Sequence, residues 1–315
     1  FMSWIRQNAH NSLYKAYERL LVREVRSAQM PQHVAIIQDG NRRYADKVGE
    51  PRAYGHVYGA LTTERVLWWC LDLGIEQLTL YAFSTENYRR SKEELVPLFS
   101  LFEQRFADLY NEEQIYQKEV QVRVIGEREL LPEGVLRSVE RVEEATRHFR
   151  KHSLNFALAY GGRKEIVDVV RSLATQVENN TINVDEIDED MLTKLLYNNN
   201  ALADVDLIIR SGGEARTSNF LPWQASGNEC CSYFCAPYWP EFRRIDLLRA
   251  IRTFQEKERE RRISIVERAF SFLNEIGKVE VEEVFRLSRK ACVITHEEVS
   301  EILRDFVPGI KANND

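Results

Sequence analysis

In AIIQDGNRRYA, residues 35–45, an apolar run ends in Asp39, and Gly40, Asn41, Arg42 and Arg43 follow at once. Arginine makes charged, bidentate hydrogen bonds to phosphate oxygens. The free N–H groups that open a helix also favour an anion. A carboxylate beside a bound phosphate is repulsive unless a cation bridges them. Mg²⁺ suits that role, because it uses few carboxylates together with substrate phosphates. The other reading is a capped helix with surface arginines, and from this segment alone both readings stand.

Two further segments repeat the design. YAFSTENYRRSKEEL (81–95) ends an apolar run with Ser84, Asn87 and Arg90. DLIIRSGGEARTSNF (206–220) places Arg210, Arg216 and Ser218 around Gly212-Gly213. Arg52 and His56, in RAYGH, follow closely on the first segment. Together these residues point to more than one anionic group.

Such segments can converge only if their strands end at a common edge. β-Branched and apolar runs at 33–38, 77–83, 120–126, 153–160 and 205–210 predict strands. Several are apolar on successive positions, as expected when both faces are covered. Helical patterns cover 55–73, 92–117, 133–150, 162–178 and 189–197. This alternation predicts an α/β fold with a central, mostly parallel sheet flanked by helices. The predicted organisation is an N-terminal amphipathic helix in 1–30, a main domain over 31–245 and a helical C-terminal extension over 246–315. In the first of these, Leu13, Ala16, Tyr17, Leu20 and Leu21 share a face, with Lys15, Arg19, Arg23 and Arg26 around it. That face could dock on a membrane surface or pack on the protein's own body.

The 315 residues carry a net charge of −6, which argues against a nucleic-acid partner. Five cysteines show no framework and predict a reducing compartment. Cys230, Cys231 and Cys235 are close together, but core packing suits them better than a metal. No run approaches the length of a membrane span. The expected location is cytoplasmic, with peripheral contact on the cytoplasmic face of a membrane as a variant. Neither GxGxxG nor a P-loop is present.

The motifs HVAIIQDGNRRYA, RAYGH, YAFSTENYRRS, AYGGR and DLIIRSGGEARTSNFLPWQ, followed by Glu229 and YWPEF, resemble those of the cis-prenyltransferases. This family comprises the undecaprenyl and dehydrodolichyl diphosphate synthases, and the likeness spans about residues 30–245. It implies a hydrophobic tunnel within the sheet-and-helix fold, and a Mg²⁺ cofactor. The implied reaction is repeated condensation of isopentenyl diphosphate onto an allylic farnesyl or geranylgeranyl diphosphate. Its product is a di-trans,poly-cis-polyprenyl diphosphate, precursor of a lipid glycosyl carrier. Leu95, Leu98, Phe99, Phe102, Phe106 and Leu109, with Leu61, Val66 and Leu67, are the tunnel candidates.

By this resemblance Asp39 is the catalytic, Mg²⁺-linked aspartate and Glu229 the second metal-associated carboxylate. Gly40, Asn41, Arg42, Arg43 and Tyr44 would hold the allylic diphosphate, helped by Arg52 and His56. Ser84, Thr85, Glu86, Asn87, Tyr88 and Arg90 match the second motif, with Asn87 at the position assigned to proton removal. Arg210, Arg216, Thr217 and Ser218 match the isopentenyl diphosphate site. Tyr44 and Tyr88 replace common tryptophans; Arg42, Ser91 and Ala215 also depart from the bacterial pattern, towards the eukaryotic and archaeal branch. The usual C-terminal Arg-x-Gly is absent, and EKERERRIS stands in that region. The expectation is a heteromer whose partner supplies the motif, or a homodimer in which Arg261 or Arg262 substitutes. A non-catalytic partner subunit is the alternative function, disfavoured because Asp39, Asn41 and Arg43 are all present.

Overall fold

The computed structural model describes residues 2–196, 202–225 and 230–276. Glu229, Cys292 and residues 277–315 of the expected helical extension lie outside the described residues. The chain divides into two compact units, Phe1–Arg252 and Thr253–Asp315.

In chain order the first unit contains α1 (Met2–Arg26), β1 (His33–Ile37), α2 (Asn41–Val48), α3 (Arg52–Asp72) and β2 (Gln77–Ser84). Next come α4 (Lys92–Asn111), α5 (Glu113–Gln117), β3 (Val120–Ile125), α6 (Glu133–Thr146) and β4 (His152–Tyr160). Then follow α7 (Gly162–Glu178), α8 (Glu189–Leu195), β5 (Leu207–Arg210) and β6 (Cys231–Phe234). Helix α9 (Arg244–Ile276) begins in this unit, and its residues from Thr253 onward belong to the second. Within that second part, Arg261 pairs with Glu258 one turn earlier at 2.9 Å.

The strands form one sheet in the order β3-β4-β2-β1-β5-β6, and every pairing is parallel. All five residues of β1 are buried, so both of its faces are covered. From β1 the chain steps to β2 on one side, then returns to place β5 on the other. The crevice beyond the carboxyl ends of β1 and β5 is therefore the topological switch point, where α/β sheets bind ligands.

One buried polar network ties the opposite, amino ends of the strands together. His33 Nδ1 lies 2.8 Å from the Ala203 carbonyl, which can only accept, so this nitrogen carries the proton. His33 Nε2 then accepts from the Thr79 hydroxyl at 2.7 Å, and the Asn155 amide donates to the same hydroxyl at 3.1 Å. Burial lowers the His33 pKa to about 4, in keeping with this neutral tautomer.

Three elements differ from the sequence expectation. The helix expected over 92–117 breaks at Glu112, whose extended backbone and carboxylate cap α5 through the Gln114 amide at 3.2 Å. The helix expected over 133–150 stops at Thr146, whose hydroxyl accepts from the Val122 amide of β3 at 3.0 Å. In α1 the buried apolar residues are Leu21 and Val25, while Leu13 and Leu20 are exposed. Here Glu18 reaches Arg244 at 3.7 Å and Tyr14 lies under Arg243, which turns the helix away from the expected face. Cys231 and Cys235 are buried thiols without a disulfide, as core packing requires. Among the described residues no helix is long and apolar enough to cross a membrane.

Candidate active site

The first cluster sits at the switch point. Ile37 pairs with Arg210 across β1 and β5, so Asp39, two residues on, emerges beside that arginine. Arg210 donates to Asp39 Oδ2 at 2.8 Å, to Ser218 Oγ at 2.8 Å and to the Arg216 carbonyl at 2.7 Å. Arg43 holds the other carboxylate oxygen, Oδ1, at 3.1 Å and lies 4.0 Å from Glu214. The Arg216 guanidinium is exposed and 3.6 Å from Glu214. The backbone is fixed independently: the Ser211 hydroxyl donates to the Asp39 carbonyl at 2.8 Å, and the Trp239 amide donates to it at 2.9 Å.

Gly40 makes the turn from β1 into α2 with φ of 104°, a left-handed conformation open to glycine at little cost. The turn aims the N-terminus of α2 at the crevice. Helix α3 crosses close by: a Cβ on Gly55 would lie 2.0 Å from the Asn41 carbonyl, and one on Gly59 would lie 2.4 Å from Asn41 Oδ1. This crossing brings Arg52 and His56 beside Arg42.

The second cluster forms there, around a residue that sequence reasoning missed. The buried carboxylate of Glu94, in the first turn of α4, is 3.0 Å from Arg90, 3.4 Å from His56, 3.5 Å from Arg52 and 3.6 Å from Arg42. Burial pushes the Glu94 carboxyl up, but Arg90, His56 and Arg42 together hold it below its ordinary value. Burial, and then Arg90, lower the His56 pKa, so its imidazole is neutral at pH 7. One carboxylate thus faces three guanidiniums and a histidine, an excess of positive charge suited to a polyanion. The signal was present in SKEEL, but as an ordinary acidic helix start.

The remaining second-motif residues serve the turn between β2 and α4. The Asn87 amide oxygen accepts from the Ser84 N–H at 3.2 Å. Glu86 contacts Asn219 at 3.4 Å and Thr85 at 3.4 Å. Tyr88 donates to the Leu130 carbonyl at 2.7 Å, with its ring edge-on to Phe83. Tyr44 of α2 is half-buried, with its ring 6.2 Å from that of Tyr58 on α3. Thr217 is half-buried in the loop between Arg216 and Ser218.

A cavity of about 300 Å³ begins at Gln38, Asn41 and His56 and runs between α3, α4 and the sheet. Of the tunnel candidates, Leu67, Leu98, Phe102, Phe106 and Leu109 line it. Val66 is buried elsewhere in the core, Leu61 is exposed, and Phe99 packs on Phe83. Neither Leu95 nor these three line the cavity. The strands contribute Leu80, Ala82, Leu154, Phe156 and Leu158, which helix periodicity alone could not reveal.

Asp39 is the described residue that fits a metal. Among the described residues no group of three His, Cys, Asp or Glu side chains could cage one. A single carboxylate completed by substrate oxygens is the Mg²⁺ pattern. Asn41 Oδ1 and Arg210 Nε are buried beside Asp39 without hydrogen-bond partners, so the site is not satisfied by the protein alone.

The comparisons agree with this geometry. The prenyltransferase family model, described as undecaprenyl diphosphate synthase, matches residues 37–263. A tritrans,polycis-undecaprenyl-diphosphate synthase (geranylgeranyl-diphosphate specific) of Methanosarcina mazei is 50% identical over 251 residues, covering 79% of this chain and 84% of that protein. The Archaeoglobus fulgidus protein of the same description is 51% identical over 245 residues, 78% and 97% of the two chains. Lavandulyl diphosphate synthase from Lavandula x intermedia, solved with dimethylallyl diphosphate, superposes with a TM-score of 0.68 at 33% identity, covering 72% of this chain and 95% of that one. A probable undecaprenyl diphosphate synthase of Campylobacter jejuni superposes with a TM-score of 0.57 at 30% identity and the same coverage. A parallel sheet with two cationic clusters at one edge, an apolar cavity leading from them, and relatives matched along most of their length together place this chain in the undecaprenyl diphosphate synthase family of cis-prenyltransferases.

Proposed function

We propose that this prenyltransferase extends geranylgeranyl diphosphate with successive isopentenyl diphosphate units to undecaprenyl diphosphate, precursor of a lipid glycosyl carrier. The carrying observation is that an apolar cavity is lined by His56 of one cationic cluster and by Gln38 and Asn41, which flank Asp39 of the other. The primer choice rests on the geranylgeranyl-specific relatives. In this reading Arg42, Arg43, Arg52, His56 and Arg90 hold the primer's diphosphate and its tail enters the cavity. Arg210, Arg216 and Ser218 hold the diphosphate of isopentenyl diphosphate.

In each cycle the allylic C–O bond breaks and diphosphate leaves. The terminal double-bond carbon of isopentenyl diphosphate bonds to the allylic carbon, and a proton is lost to form the new cis double bond. The arginines stabilise the charge that develops on the departing diphosphate. Asp39 would hold a Mg²⁺ ion, which when bound would add to that neutralisation. An amide is a poor base, so Asn87 shapes the turn that orients the substrates, and a diphosphate oxygen or a relay through His56 takes the proton.

The deciding experiment incubates the purified chain with Mg²⁺, labelled isopentenyl diphosphate and geranylgeranyl diphosphate, and resolves product length. We expect long polyprenyl products from the chain alone, and a loss of about 100-fold or more for Asp39→Asn with its melting temperature preserved. Inactivity that only a second kind of subunit relieves would favour the obligate heteromer. Inactivity under both conditions would count for the non-catalytic subunit.

A further inference from the structure

Arg43 must be held against Asp39, yet its guanidinium is substantially exposed and its acidic contacts, at 3.1 and 4.0 Å, are long. What lies beneath it is Tyr238. The Arg43 guanidinium sits over the Tyr238 ring, 5.2 Å from the centroid, and Lys47, one turn on, lies 5.8 Å from the same centroid. Gly40 completes this face of α2: a Cβ there would meet Tyr238 Cδ1 at 2.7 Å and its Cβ at 2.9 Å, so the missing side chain lets the ring slide under the helix.

The ring is itself anchored to the site's backbone. Its neighbour Trp239 donates its amide to the Asp39 carbonyl at 2.9 Å and its indole N–H to the Gly59 carbonyl at 2.9 Å. On the other side the Pro237 carbonyl accepts from the Gly212 amide at 2.7 Å. Tyr238 is thus the middle residue of a segment pinned to β1, α3 and the glycine loop, with a π face turned to the cation.

We infer that Tyr238 is a positioning residue, a rigid aromatic platform that aims Arg43 at the crevice beside Asp39. A face of π electrons attracts a guanidinium without engaging its N–H donors. Arg43 is therefore oriented while its hydrogen bonds remain available to phosphate oxygens. Leucine or methionine fills similar space without the attraction. The inference rests on the reading that Arg43 binds the primer's diphosphate.

The test compares Tyr238→Phe, Tyr238→Leu and Tyr238→Met, each with Arg43 intact and in an Arg43→Met background. The readouts are KM for geranylgeranyl diphosphate, KM for isopentenyl diphosphate, kcat and melting temperature. We expect Tyr238→Leu and Tyr238→Met to raise the primer KM about three- to tenfold, with kcat and the other KM within about twofold. Tyr238→Phe keeps the ring and restores the primer KM. In the Arg43→Met background the Tyr238 substitutions cost nothing further. Should the leucine variant not fold, the methionine variant and the background comparison carry the same decision. Equal losses in Tyr238→Phe and Tyr238→Leu, or equal costs with and without Arg43, overturn the platform role alone. An unchanged primer KM in Arg43→Met overturns both the platform and the assignment of Arg43 to the primer.

Discussion

At the scale of single residues the site is built from competing charges. Glu94 is the counter-ion of Arg42, Arg52 and Arg90 and lies 3.4 Å from His56. Replacing it by glutamine leaves three guanidiniums facing one another. We expect Glu94→Gln to melt several degrees lower than the parent. Added inorganic diphosphate should restore more of that loss than it adds to the parent, read by thermal unfolding with and without the anion. The same substitution removes an influence that raises the His56 pKa, so that pKa, already below its ordinary value, should fall further in an NMR titration. An unchanged His56 titration would contradict the geometry of the cluster.

At the scale of elements, two contacts hold the strand ends and helix starts in place. The first is the crossing of α2 over α3. Alanine at Gly55 puts a methyl group 2.0 Å from the Asn41 carbonyl. We expect Gly55→Ala to cost about 1–3 kcal/mol of stability and to raise the primer KM, because Asn41 and Arg42 move with the helix. The second is the His33–Thr79–Asn155 network under β1, β2 and β4. His33 is held neutral, with a folded pKa of about 4 against an ordinary value of 6.5. A group depressed in this way favours folding fully above pH 6.5, and the contribution fades as pH falls from 6.5 through 4. Unfolding followed from pH 7 to pH 4 should therefore show an acid loss on the order of 3 kcal/mol from this residue. In His33→Gln the acid limb should flatten while stability at pH 7 drops by about 1–3 kcal/mol. A parallel acid limb in parent and variant would show that other groups govern it.

At the scale of the molecule, an acidic chain carries a cationic pocket over an apolar cavity. The net charge of −6 does not weaken the pocket, because short-range pairs dominate there. The cavity, about 300 Å³, lies at the lower end of the range for ligand sites, roughly 300–1,000 Å³. On the proposed reading it accepts a primer's tail, and further growth requires α3 and α4 to part. Ala82 lines the wall between them on the sheet side. Ala82→Phe should therefore shorten the products while leaving both diphosphate KM values within about twofold, resolved by chain length after labelled synthesis. Unaltered product lengths would place the growing chain elsewhere.

Much of this was legible from residue order. Runs such as HVAIIQ and QLTLYAF are apolar on successive positions, as burial on both faces requires, and a parallel sheet provides burial of that kind. Asp39, Arg52, His56, Arg90 and Arg210 stood out because cations and hydrogen-bonding groups recur at several strand ends and helix starts, a combination suited to anions. The partners of those charges were not legible. Glu94 reads as an acidic first turn, and Tyr238 as one aromatic in YWPEF, until folding sets the first against three arginines and His56 and the second beneath Arg43. Sequence periodicity reports which face of an element is apolar, but not what lies opposite it. For that reason α1 turned another face inward and the β2 and β4 side chains of the cavity went unseen. The sequence by itself determined the elements and the chemistry at their ends; the order in which the strands assemble decided which of those ends meet.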